Sequence, residues 1–282
     1  MLIAPLAYQS LLHPAGELAT VEAANAVNMG MLTSTLSTYP LEQIGTAQHT
    51  GKWFQLYMQP DPEHTLDLIR RAEKAGYTAI VVTVDAPVSG LRNRQQRAGF
   101  SLPPSVVAAN LVNYPTSKTQ SLSPGQSVLL NGLMADAPDW DDIQWLRKNT
   151  NLPVWIKGIS HPQDAILAVE SGCAGIVVSN HGGRTLDGLA PSIDLLPPVR
   201  SAVGEAFPIL LDSGIRRGTD IFKAIALGAN GVLLGRPVLN GLAVAGALGV
   251  AHSLTLLQQE LELAMALTGC ETISDITLDC IY

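Results

Sequence analysis

Short apolar runs recur along the chain, and each one ends in polar residues or glycine. The runs are continuous rather than alternating, which is typical of parallel strands that are buried on both faces. The pattern therefore predicts eight strands, at Met1–Ala4, Met29–Thr33, Trp53–Tyr57, Ala79–Val84, Val154–Lys157, Gly175–Ser179, Pro208–Asp212 and Gly231–Leu234.

Amphipathic segments between these runs predict helices. One begins at Asp61, an N-cap residue followed by a proline, and stops at Gly76. Another begins at Ser160 and stops at Gly172. Eight strands that alternate with helices predict a (β/α)8 TIM barrel, an α/β fold, in a single domain over residues 1–282. An open doubly wound sheet is the competing fold.

One connection is much longer than the others. Between the fourth and fifth predicted strands, only Asp139–Lys148 has a helical pattern. Residues 117–138 are rich in serine, with scattered proline and glycine. Long loops in compact domains are usually lids or disordered segments. The sequence therefore predicts a lid-like loop at about 86–138, over the active face.

Composition excludes several classes of partner. The net charge is −7 and there is no basic cluster, so neither nucleic acid nor an anionic membrane is expected as a partner. The three cysteines lack metal-ligand spacing, so we expect reduced thiols and no metal site. The N-terminus has no signal-peptide pattern, and no run approaches the ~20 apolar residues of a spanning helix. These features predict a cytoplasmic protein.

Polar or charged residues stand at the carboxyl end of nearly every predicted strand. In barrel enzymes this end carries the chemistry. The last two units favour a phosphate site, because Gly-rich loops offer backbone N–H groups and arginine can clamp an anion. These loops are Asp212–Gly218, which contains Arg216, and Gly235–Pro237, which contains Arg236.

His181 and Arg184 follow the sixth predicted strand. Histidine can move a proton near neutral pH, and arginine can hold a carboxylate with two parallel hydrogen bonds. Asp85 would stabilise an imidazolium. Lys157 leaves two hypotheses open, namely a Schiff base with a carbonyl substrate or a charge that offsets a negative cofactor. Neutral groups that could address the edge of a heterocyclic ring stand at Gln55 and Thr83.

Taken together, these residues resemble the FMN-dependent L-2-hydroxy acid oxidases, a family that includes glycolate oxidase, lactate oxidase and mandelate dehydrogenase. The match covers essentially the whole chain in order. The motifs that carry it are Ile3-Ala4-Pro5, Phe54-Gln55-Leu56-Tyr57, Thr83-Val84-Asp85-Ala86-Pro87, Lys157-Gly158, Ser179-Asn180-His181-Gly182-Gly183-Arg184, Leu186-Asp187, Leu211-Asp212, Gly214–Asp220 and Gly235-Arg236-Pro237.

The resemblance implies a role for each matching residue. His181 would remove a proton from the substrate, and Asp85 would orient it. Arg184 and Arg92 would hold the substrate carboxylate, and Tyr57 would contact the substrate. The implied FMN ligands are Leu6, Ala7, Ser34, Gln55 and Thr83 for the isoalloxazine ring, Lys157 for its N1 edge, Ser179 within the signature, Asp212 and Arg216 for the ribityl and phosphate groups, and Gly235 and Arg236 for the phosphate.

The chain departs from the family pattern at several places. Relatives begin with a helical segment that carries a substrate-binding tyrosine, whereas this chain begins within the first predicted strand. We therefore expect lower solubility and activity than in full-length relatives. Ser213 stands where relatives have glycine. Leu36 stands where plant glycolate oxidases have tryptophan, which leaves room for a substrate methyl group and resembles the bacterial lactate-oxidising members.

The resemblance implies FMN-dependent oxidation of a small L-2-hydroxy acid, such as L-lactate or glycolate, to the 2-oxo acid. The electrons would pass to oxygen, giving hydrogen peroxide, or to another acceptor. A homo-oligomer, a tetramer in many relatives, is also implied. Two alternatives stay open: an N-terminally shortened FMN-binding remnant with weak or no catalysis, and a Schiff-base lyase that uses Lys157.

Overall fold

The computed structural model describes residues 1–115, 122–135 and 137–281, and the eight predicted strands are all present in it. Each strand pairs in parallel with the next, and the last pairs with the first, which closes the barrel. The (β/α)8 fold is therefore confirmed and the open sheet is wrong. The strands are β1 Leu2–Ile3, β2 Gly30–Ser34, β3 Lys52–Leu56, β4 Ala79–Thr83, β5 Val154–Ile159, β6 Gly175–Val178, β7 Ile209–Leu211 and β8 Gly231–Leu234.

Most of the helices cover the outside of the barrel. The helices are α1 Gly16–Ala26, α2 Leu41–Ala47, α3 Pro62–Lys74, α4 Asn93–Arg97, α5 Trp140–Lys148, α6 Pro162–Glu170, α7 Ser192–Val203, α8 Gly218–Ala226 and α9 Arg236–Thr268. The side chain of Asp61 caps α3 as predicted, because it accepts the Glu63 N–H at 3.0 Å. The predicted start of α6 at Ser160 is wrong: His161 is its N-cap, and its ring accepts the Gln163 N–H.

Apolar side chains pack in two layers. The larger layer lies between the strands and the surrounding helices, and includes Met31, Phe54 and Ile80. The smaller layer fills the inside of the barrel. Its buried members are Ala4, Leu32, Val81, Val177, Leu210 and Leu233, with Trp53 and Trp155 packed against them. Side chains alternate between the two faces of a strand, so each strand contributes to both layers.

A polar layer follows directly above the apolar interior. Side chains two positions apart point to the same face of a strand, so the residue two positions after each interior residue also points into the barrel. These residues are Leu6, Ser34, Gln55, Thr83, Lys157, Ser179, Asp212 and Gly235. Six of the eight are polar or charged, and all eight are residues that the sequence predicts for the cofactor site.

The long connection between β4 and β5 contains more structure than predicted. The expectation that only residues 139–148 are helical is wrong, because α4 and a six-residue π-helical turn at Val128–Leu133 precede α5. Both lack an apolar periodicity that would reveal them: α4 reads Asn-Arg-Gln-Gln-Arg, and the π turn exposes most of its apolar side chains. Residues 116–121 and 136 of the predicted lid-like loop lie outside the described residues.

Helix α9 is long and apolar enough to span a membrane, contrary to the expectation that no segment would be. Its backbone is not helical at Ala245 and Gly246, so it consists of two helical pieces. The helix packs against α1 and α8, and its second piece contains buried side chains such as Leu254 and Leu261. Contact with the barrel helices therefore accounts for part of its apolar composition.

Candidate active site

A buried ion pair lies at the centre of the polar layer. Lys157 Nζ is 2.8 Å from Asp212 Oδ2, and it also donates a hydrogen bond to Ser179 Oγ at 3.1 Å. Ser179 Oγ in turn donates to Asp212 Oδ2 at 2.6 Å. All three residues are at least nine-tenths buried. The sequence predicts each of them for the site, but not that they bond to one another.

The two partners keep each other charged. Burial alone would lower the pKa of Lys157, but the negative charges of Asp212 and Asp85 outweigh it, so the pKa is raised. Burial alone would raise the pKa of Asp212, but the charge and hydrogen bond of Lys157 outweigh it and lower the pKa. The polar layer therefore holds a fixed ammonium group beside a fixed carboxylate. An ammonium group has no lone pair, so Lys157 in this state is no nucleophile for a Schiff base.

His181 and Asp85 form the second polar pair of the site. His181 Nδ1 lies 2.7 Å from Asp85 Oδ1. Both side chains are largely buried at the mouth of the barrel, at the ends of β6 and β4 respectively. When Nδ1 carries the proton, the other ring nitrogen has a free lone pair. The pair can therefore accept a proton at Nε2 and stabilise the resulting cation through the carboxylate.

Gly158 makes room for Asp85. It has φ of +110° and lies where the pairing of β5 with β6 changes register. A Cβ atom at this position would lie 2.6 Å from the side chain of Asp85. A bulge with glycine at a positive φ lets two backbones approach and re-aims a neighbouring side chain. The Lys157-Gly158 motif thus positions both the ammonium group and the carboxylate.

The turn that carries His181 is held from several sides. His181 itself has φ of +54°, a left-handed conformation that is uncommon for residues other than glycine. Its N–H donates to Ser179 Oγ at 2.9 Å, and the next N–H, of Gly182, donates to Ser213 Oγ at 2.8 Å. The guanidinium group of Arg236 donates to the Gly182 carbonyl. The surroundings therefore fix the backbone of this strained turn.

Ser213 is a second residue other than glycine in the site that has a left-handed conformation. Its φ is +83°, and its hydroxyl lies 3.4 Å from Asp212 Oδ2 and from Ser179 Oγ. Relatives with glycine at this position have no hydroxyl here. In this chain, one side chain links the His181 turn to the buried ion pair.

A cavity of about 510 Å³ opens beside His181. Tyr57, Leu36 and Arg92, which the sequence predicts for substrate binding, also line it. Residues of the predicted lid-like loop form another part of the wall, among them Ala86, Pro87, Val88, Ser89, Leu111, Leu122, Val128, Leu133 and Pro138. The described part of this loop therefore borders the cavity. Its opening and closing stay a prediction.

Tyr57 and Arg184 are close enough to change one another's pKa. Burial raises the pKa of Tyr57, which Asp85 raises further, while Lys157, Arg92 and Arg184 act in the opposite direction. Partial burial lowers the pKa of Arg184, as do the charges of Arg92 and Arg236. A guanidinium group that lies close enough to two others to be repelled by them is a favourable environment for an anion.

The phosphate end of the predicted site lies at the start of two helices. Arg216 precedes α8, and its N–H donates to the Asp220 carboxylate at 2.9 Å, while its guanidinium group is exposed. Glu260, on the second piece of α9, accepts the Gly218 N–H at 2.8 Å and pairs with Arg217. Helix α9 begins at Arg236, directly after Gly235. Backbone N–H groups at helix starts and arginine side chains suit a phosphate.

Two buried polar atoms fit a flavin ring in the polar layer. The amide oxygen of Gln55 accepts hydrogen bonds from Ser34 Oγ at 3.3 Å and from the Thr35 N–H at 3.2 Å. Its Nε2 atom, and the hydroxyl of Thr83, are buried without a hydrogen-bond partner in the described residues. Such atoms are costly to bury unpaired, so a ligand with polar edges would satisfy them. Leu6 lies next to Gly235 in the same layer, and the side chain of Ala7 is exposed.

Two residues that position the loops of the site were not identified from the sequence. Asn110 is 1% exposed, accepts the Leu41 N–H at 2.8 Å, and donates to the carbonyls of Ser34 and Thr35 and to Ser37 Oγ. Glu17 is fully buried and bonds to the backbone of Gln9 and to both the backbone and hydroxyl of Thr38. Only their polarity within otherwise apolar surroundings could have indicated them, because their partners are distant in sequence.

Comparisons with known proteins agree with this geometry. A model of the FMN-dependent dehydrogenase family matches residues 1–282. The L-lactate oxidase of Alicycliphilus denitrificans is 51% identical over 279 residues, which cover 99% of this chain and 76% of that protein. Glycolate oxidase 3 of Oryza sativa subsp. indica is 44% identical, over 98% of this chain and 76% of its own length.

Solved structures lead to the same family. A crystal structure of mandelate oxidase with benzoyl-formic acid has a TM-score of 0.86 and 45% identity, over 97% of this chain and 75% of that one. The family match over the whole chain identifies the cofactor as FMN and the activity as oxidation of a 2-hydroxy acid. The chain belongs to the FMN-dependent dehydrogenase family.

Proposed function

We propose that the chain oxidises L-lactate, or an L-2-hydroxy acid of similar size, to the 2-oxo acid and passes the electrons to oxygen. The observation that carries this proposal is the cavity at the barrel mouth. It brings an apolar residue, Leu36, together with Tyr57, Arg92 and His181. The similarity to proteins named L-lactate oxidase and glycolate oxidase supports oxygen as the acceptor and hydrogen peroxide as a product.

Residues in and around the cavity have separate roles towards the substrate. Arg92 and Arg184 hold the carboxylate. Tyr57 stays protonated at neutral pH because burial raises its pKa, so it donates a hydrogen bond. His181 accepts a proton from the substrate at Nε2, and Asp85 stabilises the imidazolium from a distance of 2.7 Å. Bound FMN supplies the acceptor for the two electrons that leave the substrate, and Lys157 provides a positive charge at that side of the site.

Leu36 supports a substrate with a small apolar group. It lies two residues after the end of β2, where Ser34 Oγ accepts its N–H at 3.1 Å. A leucine side chain leaves more space in the cavity than tryptophan would, and a methyl group can occupy that space. Lactate has this methyl group and glycolate lacks it, so lactate is the better fit.

The experiment is an absorbance spectrum of the purified protein, followed by anaerobic addition of L-lactate, glycolate or D-lactate. We expect a flavin spectrum that L-lactate bleaches faster than glycolate does and that D-lactate leaves unchanged. Air should then restore the colour and produce hydrogen peroxide. A flavin that none of these acids bleaches would favour the FMN-binding remnant. A colourless protein that borohydride attaches to a carbonyl substrate at Lys157 would favour the lyase.

A substitution tests the role of Leu36. Leu36→Trp should reduce kcat/KM for lactate more than for glycolate, by roughly 5- to 150-fold, since a methyl-sized difference in an apolar pocket is worth about 1–3 kcal/mol. Leu267→Trp, at an exposed position on α9, is the matched control and should leave both substrates unaffected. Equal losses with both substrates in the Leu36 variant would contradict a contact between Leu36 and the methyl group.

The proposal also includes a homotetramer and a location in the cytoplasm.

A further inference from the structure

The last two cysteines of the chain lie in contact, outside the active site. Cys270 directly follows Gly269, which ends α9, and Cys280 ends a short 3₁₀ turn at Leu278–Cys280. Their Sγ atoms are 3.7 Å apart. Both thiols donate to the same acceptor, the carbonyl of Asp275, at 3.6 Å. The sequence shows no pairing of these cysteines, so their contact is a product of the fold.

Local geometry brings the two thiols together. Gly269 has a left-handed conformation with φ of +75°, which turns the chain away from the helix axis. The Asp275 carboxylate accepts the N–H of Thr272 and thereby fixes the first of two short turns. Ile276, only 5% exposed, anchors the segment on the core. The turn at Leu278–Cys280 packs against α8.

We propose that Cys270 and Cys280 form a reversible disulfide, with hydrogen peroxide as the oxidant. The source of the peroxide rests on the proposed oxidase function, because reduction of oxygen at the active site produces it. One thiolate attacks the O–O bond of the peroxide, which gives a sulfenic acid and releases hydroxide. The second thiol attacks the sulfenic sulfur and releases water. In sum, two thiols lose two hydrogens and the peroxide becomes two waters.

The surroundings assign the order of attack. Cys280 is partly exposed, and hydrogen bonds from the backbone and hydroxyl of Thr277 lower its pKa, so it is the thiol that reacts with peroxide. Cys270 is buried beside it and resolves the sulfenic acid. The third cysteine provides an internal contrast, because burial raises the pKa of Cys173 to about 11.

The disulfide would join the end of α9 to the turn that packs on α8. Helix α8 begins directly after Arg216 and Arg217, at the phosphate end of the site. A disulfide between Cys270 and Cys280 would close the loop between them. It would hold this segment against α8 and keep the segment from detaching. The proposed modification therefore stabilises the support of the phosphate loop and leaves the catalytic residues unchanged.

A mass-spectrometric experiment separates the disulfide from the oxidase activity. The FMN-loaded protein is treated in parallel with hydrogen peroxide, with L-lactate in air, and with L-lactate in air plus catalase. Free thiols are then alkylated. A glutamyl endopeptidase that cleaves after Glu262 and Glu271 leaves the two cysteines on separate peptides, 263–271 and 272–282. A disulfide joins these peptides, and a reductant separates them again.

We expect the joined peptides in the first two samples and a strong reduction of them with catalase. They should be absent in Cys280→Ser, whereas Cys173→Ser should behave like the unmodified chain. Two cysteines that stay fully alkylated after added peroxide, or that oxidise singly to sulfinic acid, would overturn the disulfide. If the peptides are joined with added peroxide but not with lactate, the disulfide is supported. The claim that the enzyme itself produces the peroxide for it would then be wrong.

Discussion

His181 Nδ1 lies 2.7 Å from Asp85 Oδ1, although the two residues are 96 positions apart in the chain. A carboxylate at this distance selects the tautomer in which Nδ1 carries the proton and Nε2 can accept one. In the proposed reaction, the same carboxylate stabilises the cation that forms on the imidazole. The proposed base is therefore the pair rather than the imidazole alone.

The first prediction follows from this pair. His181→Ala should slow flavin reduction by at least ~10²-fold, the low end of a general-base contribution, and leave FMN bound. Asp85→Asn should also slow it by roughly 10²-fold or more, because an amide neither fixes the tautomer nor offsets the cation. Stopped-flow flavin reduction measures both. His49→Ala, at an exposed histidine, is the control. A normal rate in Asp85→Asn would remove Asp85 from the mechanism.

The second prediction concerns Ser213. Its hydroxyl accepts the Gly182 N–H at 2.8 Å, and the loss of one such hydrogen bond is worth about 0.5–1.5 kcal/mol. Ser213→Gly and Ser213→Ala should therefore both reduce kcat by roughly 2- to 10-fold, with little change in FMN affinity. The two variants should differ in stability. Ser213→Ala should have the lower free energy of unfolding, because it keeps a Cβ atom at φ of +83°.

The comparison of these two variants tests the positioning role. Urea unfolding gives the stability difference, and steady-state kinetics gives kcat and KM separately. A kcat that is unchanged in both variants would mean that the hydroxyl makes no difference to the reaction. In that case Ser213 would not position His181.

The third prediction is a pH dependence. Asp212→Asn should lower the free energy of unfolding at pH 7 by about 3 kcal/mol, because it leaves the buried ammonium of Lys157 without its counter-ion. The pKa of Asp212 is lowered by folding, so its stabilisation is present above its unfolded pKa, about 3.9, and is lost as the pH falls below it.

The stability difference between the unmodified chain and Asp212→Asn should therefore be constant from pH 7 to about 5 and shrink below about pH 4. Urea unfolding of the FMN-loaded proteins across this range measures it. Asp187→Asn, at an exposed position, is the control. A difference that stays the same at low pH would mean that Asp212 is not the titrating partner of Lys157.

The fourth prediction concerns Asn110. Asn110→Ala should lower the free energy of unfolding by about 3 kcal/mol, because several buried partners lose their hydrogen bonds at once. Three positions later, Asn113→Ala changes an exposed side chain and should cost no more than about 0.5 kcal/mol. Equal, small effects in the two variants would show that the hydrogen bonds of Asn110 contribute little to the stability of the fold.

The fifth prediction concerns the phosphate end. Arg236→Ala should weaken FMN binding by roughly 10- to 150-fold, because a charge-assisted hydrogen bond contributes about 1.5–3 kcal/mol. Fluorescence titration of the apoprotein with FMN measures the affinity. Arg70→Ala removes an exposed charge on α3 and should not change it. Unchanged affinity in Arg236→Ala would place the phosphate elsewhere.

Local patterns account for most of what could be predicted. The strands are buried on both faces, so their apolar runs are visible in the sequence, and a two-residue step from Leu32 to Ser34 or from Val81 to Thr83 already marks the polar layer. The cap at Asp61 involves only neighbouring residues. Signals of this kind need no knowledge of the rest of the fold.

Long-range contacts account for what could not be predicted. Asn110 forms hydrogen bonds with residues that are 69 to 76 positions away, and no pattern near it in the sequence predicts these bonds. The bond from Gly182 to Ser213 spans 31 positions, and the sequence shows only that Ser213 replaces a glycine. The contact of Cys270 with Cys280 depends on the left-handed turn at Gly269, whose direction no residue pattern specifies.

The break in α9 has a consequence for the order of events during synthesis. It returns the chain to the start of α8, so that Glu260 supports the backbone at Gly218. Gly235 and Arg236 precede that return by only some two dozen positions. The proposed phosphate end of the site is therefore completed by residues that are synthesised after all eight strands. In a nascent chain that ends before Glu260, all eight strands are present but the proposed phosphate anchor is unfinished, so we expect FMN to bind only after this residue has been added.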